Sequence, residues 1–170
     1  MTDRLSAFKA LVFSGYAAKQ DIIQHFYLDW QTQTLVLDKW FAIQAMTPNE
    51  DALTVAKSLM NEQAFSINNP NNVRSVVGAF AGNMVGFHRE DGKGYEFLAD
   101  TILQLNDINP QIAARLMGTF NTWKKYAAPY SQNMKSQIER ILAHEGLVKD
   151  IKEIASKALV WWFLILIKKT

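Results

Sequence analysis

Apolar positions recur along this chain at three- and four-residue spacings, which predicts one amphipathic helix after another. Residues 2–14 place Leu5, Phe8, Leu11 and Val12 on one face. Ile22, Ile23, Phe26, Tyr27 and Trp30 repeat the pattern, and Leu37, Trp40, Phe41 and Met46 carry it into a third segment. "TPNE" at 47–50 predicts a helix start, with Thr47 as cap, Pro48 in the first helical position and Glu50 completing a capping box. Leu53, Ala56, Leu59 and Met60 follow as its buried face.

Beyond an Asn/Pro knot in "FSINNPNNVRSVVGAFAGN" at 65–83, Val73, Val76, Val77 and Phe80 mark the next helix. "GFHREDGKGYEF" at 86–97 is rich in breakers and reads as a loop, with Asp91 capping the helix after it. Phe97, Leu98, Ile102, Leu103 and Leu105 then make a helix. "NP" at 109–110 opens another with a cap Asn and a first-turn Pro, its stripe running through Ile112, Leu116, Phe120 and Trp123. Two last helices span 130–144 and 147–159.

No alternating strand pattern of useful length intervenes, so the fold class is all-α. Short helices joined by short turns point to stacked helical pairs and not to a four-helix bundle. The apolar run Ala158–Ile167 stands apart. A spanning helix needs about 20 apolar residues, and this run is too short to cross a bilayer. It reads as an extension of the last helix or a scar at a fragment end, with a membrane-interface anchor as the alternative.

Composition narrows the function. A chain of 170 residues with 49% hydrophobic and 20% charged residues suits one globular domain. With 18 basic against 16 acidic residues and no basic block, no nucleic-acid partner is expected. The absence of cysteine removes disulfides, thiolate metal sites and cysteine nucleophiles, and suits a reducing compartment. "MTDRLSAFKA" lacks the apolar core of a secretion signal.

Candidate chemistry is sparse. "HEGLV" at 144–148 ends in Val where a zinc-protease helix needs its second histidine. "HRED" at 88–91 gathers an imidazole and carboxylates in a loop, and "GKG" at 92–94 lacks the spacing of a phosphate loop. No catalytic residue and no metal ligand emerges. Two arginines say more: Arg74 and Arg115 both lie among apolar helix neighbours. A guanidinium there must find a carboxylate, find carbonyls, or face a wet cavity that receives an anion.

Four stretches carry a family resemblance: "LVLDKWFAIQA" at 35–45, residues 65–83 quoted above, "FHREDGKGYEFLAD" at 87–100 and "LNDINPQIAARL" at 105–116. In this order they closely resemble the C-terminal region of bacterial aminopeptidase N, the alanyl aminopeptidase family of zinc metallopeptidases. The resemblance covers residues 1–159 and ends at "KAL", leaving 160–170 as a hydrophobic tail outside the pattern.

The resemblance implies a HEAT- or armadillo-like helical superhelix, here a partial solenoid, that caps the active site and forms a peptide cavity. It implies no cofactor in this chain, zinc in an absent catalytic domain of the same enzyme, a cytoplasmic setting, and no membrane partner. Arg74, Gln111 and Arg115 match family positions that line the cavity and meet peptide substrate. The rival reading is an independent helical-repeat scaffold that binds a protein or peptide.

Overall fold

The computed structural model describes residues 1–49 and 51–167, with side chains described as far as residue 160. The expected role of Glu50 in a capping box, and the side chains of the hydrophobic tail beyond residue 160, lie outside the described residues. Among the described residues every regular element is helical, as the spacing predicts. They form two compact units, Met1–Phe87 and a second beginning at His88.

In the first unit, α1 (Thr2–Phe13), α2 (Lys19–Trp30) and α3 (Thr34–Ala45) pack on one another. Phe8 of α1 is buried and stacks on Phe26 of α2 at 4.4 Å between ring centroids. The Trp40 indole of α3 donates to the Ile23 carbonyl at 3.0 Å, so a buried ring also satisfies its one polar atom. No residue of α2 is fully buried; its Ile22, Ile23, Phe26, Tyr27 and Trp30 are all half-buried.

The α4 helix (Ala52–Leu59) does not start where "TPNE" predicts. Thr47 is buried, and its hydroxyl donates to the Gln44 carbonyl at 2.7 Å, closing off α3 in place of capping α4. Because α4 begins only at Ala52, Thr47 is too far upstream to cap it. Short α5 (Pro70–Val73), a π-helical turn (Arg74–Gly78) and α6 (Ala79–Ala81) run on as one rod against α3, burying Val73, Val76, Val77 and Phe80 completely. Each such side chain contributes about 1.5–3 kcal/mol of burial.

The α7 helix (Met84–Phe87) is clasped to this layer by Asn83. The buried Asn83 amide donates to the carbonyls of Ala45 (3.2 Å) and Thr47 (2.8 Å), while its oxygen accepts from Val85 and Gly86. Gly86 lies against α4, where an added Cβ would come within 2.5 Å of the Ala52 Cβ.

In the second unit, α8 (Lys93–Ile108) packs on α9 (Pro110–Met117) and α10 (Tyr130–Leu142). The segment read as a loop over 86–97 is helical at its start, where α7 ends at Phe87, and again from Lys93 onward. Asp91 accepts from the Lys93 amide at 3.1 Å, and Gly92 takes the left-handed conformation (φ +70) that closes the turn. The stripe expected to run unbroken from Ile112 to Trp123 changes at Gly118 into a 3₁₀ segment, Gly118–Lys125. The α11 helix (Lys149–Ile167) continues through the start of the apolar run without a break. Asn106, almost fully buried, accepts from the Val148 amide at 2.9 Å and donates to the Gly146 carbonyl at 3.2 Å. That side chain secures the turn leading into α11.

Candidate functional site

The Asn/Pro knot is a built helix start. Asn69 accepts from the Asn71 amide at 2.9 Å, and Pro70 takes the first helical position, where its missing N–H costs nothing. Asn72 is buried and faces back toward the knot and across to α3. Its oxygen accepts from the Ser66 amide at 3.0 Å, and its amide donates to the Asp38 carboxylate at 3.1 Å.

Arg74 follows on the exposed side of the same turn. Its Nε donates to the Pro70 carbonyl at 3.2 Å, and its terminal nitrogen bonds the Asn71 side-chain oxygen. Among the described residues no carboxylate pairs with it. Of its five donors, two kinds are thus used to fix direction and the remainder stay available for a ligand. The π-helical turn begins at this arginine; such single turns recur at functional positions in helices.

Arg74 lines a hollow of about 430 Å³ within the first unit. Leu35, Asp38 and Lys39 of α3 form one wall, and Asn71, Arg74 and Ser75 form the other. The hollow therefore presents two cations, one carboxylate and a leucine side chain that is 73% exposed.

Gln111 and Arg115 belong to the second unit, on α9. Asn109 caps this helix by accepting from the Ile112 amide at 3.2 Å, and Pro110 takes the first position, as read from "NP". Ala113, Leu116 and Met117 are buried, whereas Gln111 and Arg115 are exposed one turn apart on the same face. Arg115 pairs with no carboxylate among the described residues. Gln111 and Arg115 are brought together by their helix; Arg74 lies in the other unit.

"HRED" proves to be a hydrogen-bonded aromatic cluster. The two ring nitrogens of His88 meet the hydroxyls of Tyr95 (2.9 Å) and Tyr126 (3.1 Å), and the His88 ring stacks on Tyr126. Burial holds the histidine below its ordinary pKa and pushes the Tyr95 hydroxyl up. The Arg89 guanidinium bonded to Asp91 holds that carboxyl below its usual range. Among the described residues no group of three His, Asp or Glu side chains is arranged to hold a metal ion.

Asp38 and Lys39 were not singled out by sequence reasoning. The signal was available: a charged pair inside "LVLDKWFAIQA", an otherwise apolar helix. What it faces depends on a segment 34 residues away, which periodicity does not reveal.

A family model described as "Domain of unknown function (DUF3458_C) ARM repeats" matches residues 1–160. Curated proteins called aminopeptidase N are 41% identical in Caulobacter vibrioides, 39% in Haemophilus influenzae and 38% in Escherichia coli, each over 160 residues. These alignments cover 94% of this chain, and the chain spans only 18% of the length of each relative. The crystal structure of Legionella pneumophila aminopeptidase A in complex with aspartic acid matches with a TM-score of 0.89 at 31% identity, covering 94% of this chain and 19% of that one.

Proposed function

The chain belongs to this ARM-repeat domain family, and on that premise we propose that it is the non-catalytic C-terminal domain of a zinc-dependent aminopeptidase N. In this reading it caps the active site and walls the cavity through which peptides pass. The full enzyme removes N-terminal residues from peptides. Zinc and the groups that activate water belong to a catalytic domain of the same enzyme, which is this domain's first partner; peptide substrate is the second. The setting is cytoplasmic. Among the described residues no helix is long and apolar enough to cross a membrane.

The observation that carries the reading is the state of Arg74. A guanidinium held by its own helix start, unclaimed by any described carboxylate, and set on the wall of a hollow is a prepared anion receptor. Arg115, with Gln111 one turn before it, supplies a second donor set that no described carboxylate occupies. Each by itself suits the carboxylate end of a peptide whose amino end is at the reacting centre of the catalytic domain.

The test uses the longer enzyme that carries this domain. Arg115→Ala should raise KM by about tenfold for longer peptides, the equivalent of one lost charge-assisted hydrogen bond, and leave single-residue chromogenic substrates unchanged. Unaltered kinetics for the longer peptides would remove Arg115 from the cavity wall.

A further inference from the structure

The two units treat their lysines differently. In the second unit Lys135 pairs with Glu139 and Lys157 with Glu153, each partner one helical turn away. In the first unit the residues one turn either side of Lys9 are Leu5 and Phe13, and those around Lys39 are Leu35 and Ile43. Apolar side chains at these positions deny both ammonium groups the ordinary partner. Asp38, next to Lys39 in sequence, accepts from Asn72 and lines the hollow beside Arg74 instead. Among the described residues neither lysine forms an ion pair.

Both lysines line a second hollow of about 490 Å³, between α1 and α3. Thr2, Leu5, Ser6 and Lys9 share one face of α1, and Lys39 and Ile43 lie one turn apart on α3. No acidic side chain is among the described residues that line it. The Lys9 ammonium overlies the Phe13 ring at 5.3 Å, a contact that gives it direction without supplying an anion. Two like charges facing one hollow repel each other, and a ligand with two negative charges removes that repulsion.

The donor set selects among anions. An ammonium is a compact charge with three donors that rotate, and Thr2 and Ser6 add hydroxyl donors. Donors spread around a hollow suit a tetrahedral group with oxygens pointing several ways, whereas a planar carboxylate is better met by the fork of an arginine. Leu5 and Ile43, both half-buried, offer an apolar wall to whatever carries that group. The volume admits a small molecule and excludes a folded partner.

We infer that the hollow between α1 and α3 binds a phosphate dianion, carried by a small phosphomonoester or free in solution. Lys9 and Lys39 share its charge, Thr2 and Ser6 donate to its oxygens, and an ester's organic part lies on Leu5 and Ile43. The inference does not depend on the proposed function, because Lys9 and the α1 face take no part in the hollow beside Arg74.

The experiment titrates the full 170-residue chain with phenyl phosphate, inorganic phosphate and phenyl sulfate, read by calorimetry and by amide chemical shifts. Circular dichroism confirms that each variant is folded; Lys9 and Lys39 are both exposed, so their substitution leaves the core intact. Phenyl phosphate should bind about tenfold more tightly than phenyl sulfate, which has the same shape and one charge fewer. Tighter binding of phenyl phosphate than of inorganic phosphate identifies an ester as the ligand, and the reverse order identifies the free ion. Shifts should concentrate on α1 and α3. Acidification through the second phosphate pKa, about 6, should weaken both phosphates and leave phenyl sulfate unchanged.

Lys9→Gln and Lys39→Gln should each weaken phenyl phosphate by about tenfold, and Arg74→Gln should change nothing. Equal affinity for phenyl phosphate and phenyl sulfate overturns the inference, as do shifts scattered over the chain's other lysines, an equal loss on Arg74→Gln, or no binding at all. Any of these results leaves the peptide reading standing, since that reading is tested at Arg74 and Arg115 with peptide substrates.

Discussion

Two helix starts in this chain are written almost alike and end differently. Asn69–Pro70 opens α5 and Asn109–Pro110 opens α9, each with the Asn side chain capping and the Pro in the first turn. The residue after each proline is an amide, Asn71 or Gln111, and an arginine follows, Arg74 or Arg115. In the first unit the short Asn71 lies three residues before its arginine and bonds it, and the helix widens into a π turn. In the second, Gln111 lies four residues before Arg115, and the helix tightens into a 3₁₀ segment after Met117. A common start therefore yields one arginine tied to its own first turn and one with no such tie among the described residues. A tied donor loses little entropy on binding and favours selectivity; an untied one tolerates ligands of different length.

The largest expected effect separates the positions two residues past each proline. Asn72→Ala orphans the Ser66 amide and releases Asp38, and should cost about 2–3 kcal/mol in denaturant unfolding. Ile112→Ala, at the half-buried equivalent, should cost about 1 kcal/mol. Similar losses at both sites would mean that Asn72 is not the anchor of the first unit's hollow.

A smaller and equal effect is expected at the caps. Asn69→Ala and Asn109→Ala should each cost about 1 kcal/mol, since each removes one helix-end hydrogen bond of the same kind. A difference of several kcal/mol between them would show that the two starts are not the same device.

The smallest effect sharpens the contrast most. Asn71→Ala should broaden and shift the Arg74 side-chain Nε resonance while changing stability by only about 0.5 kcal/mol, and Gln111→Ala should leave the Arg115 resonance where it was. Matching responses would erase the distinction between a tied and an untied arginine.

Local chemistry was legible in the sequence wherever the partner lay within a few residues. The caps at Asn69 and Asn109 and the turn at Asp91 need only neighbours three residues away or closer, so residue type and spacing suffice. Thr47 misled because its hydroxyl turns back onto the preceding helix and α4 begins further along, at Ala52. The π turn at Arg74 and the 3₁₀ segment after Met117 left no mark, since "RSVVG" and "GTFNTWKK" fit an ordinary helical pattern and packing decides their pitch. Arg74 and Arg115 stood out as cations in apolar surroundings. Asp38 did not, because its place opposite Arg74 exists only after α3 and the helical rod have met.

The proposed peptide-handling role rests on a carboxylate meeting Arg74. The most direct measurement compares free-acid and C-terminally amidated forms of one peptide as substrates of the longer enzyme, wild type against Arg74→Ala. The free acid should lose about tenfold in kcat/KM on substitution while the amide is unchanged. An equal loss for both forms, or none for either, would contradict a carboxylate at this arginine.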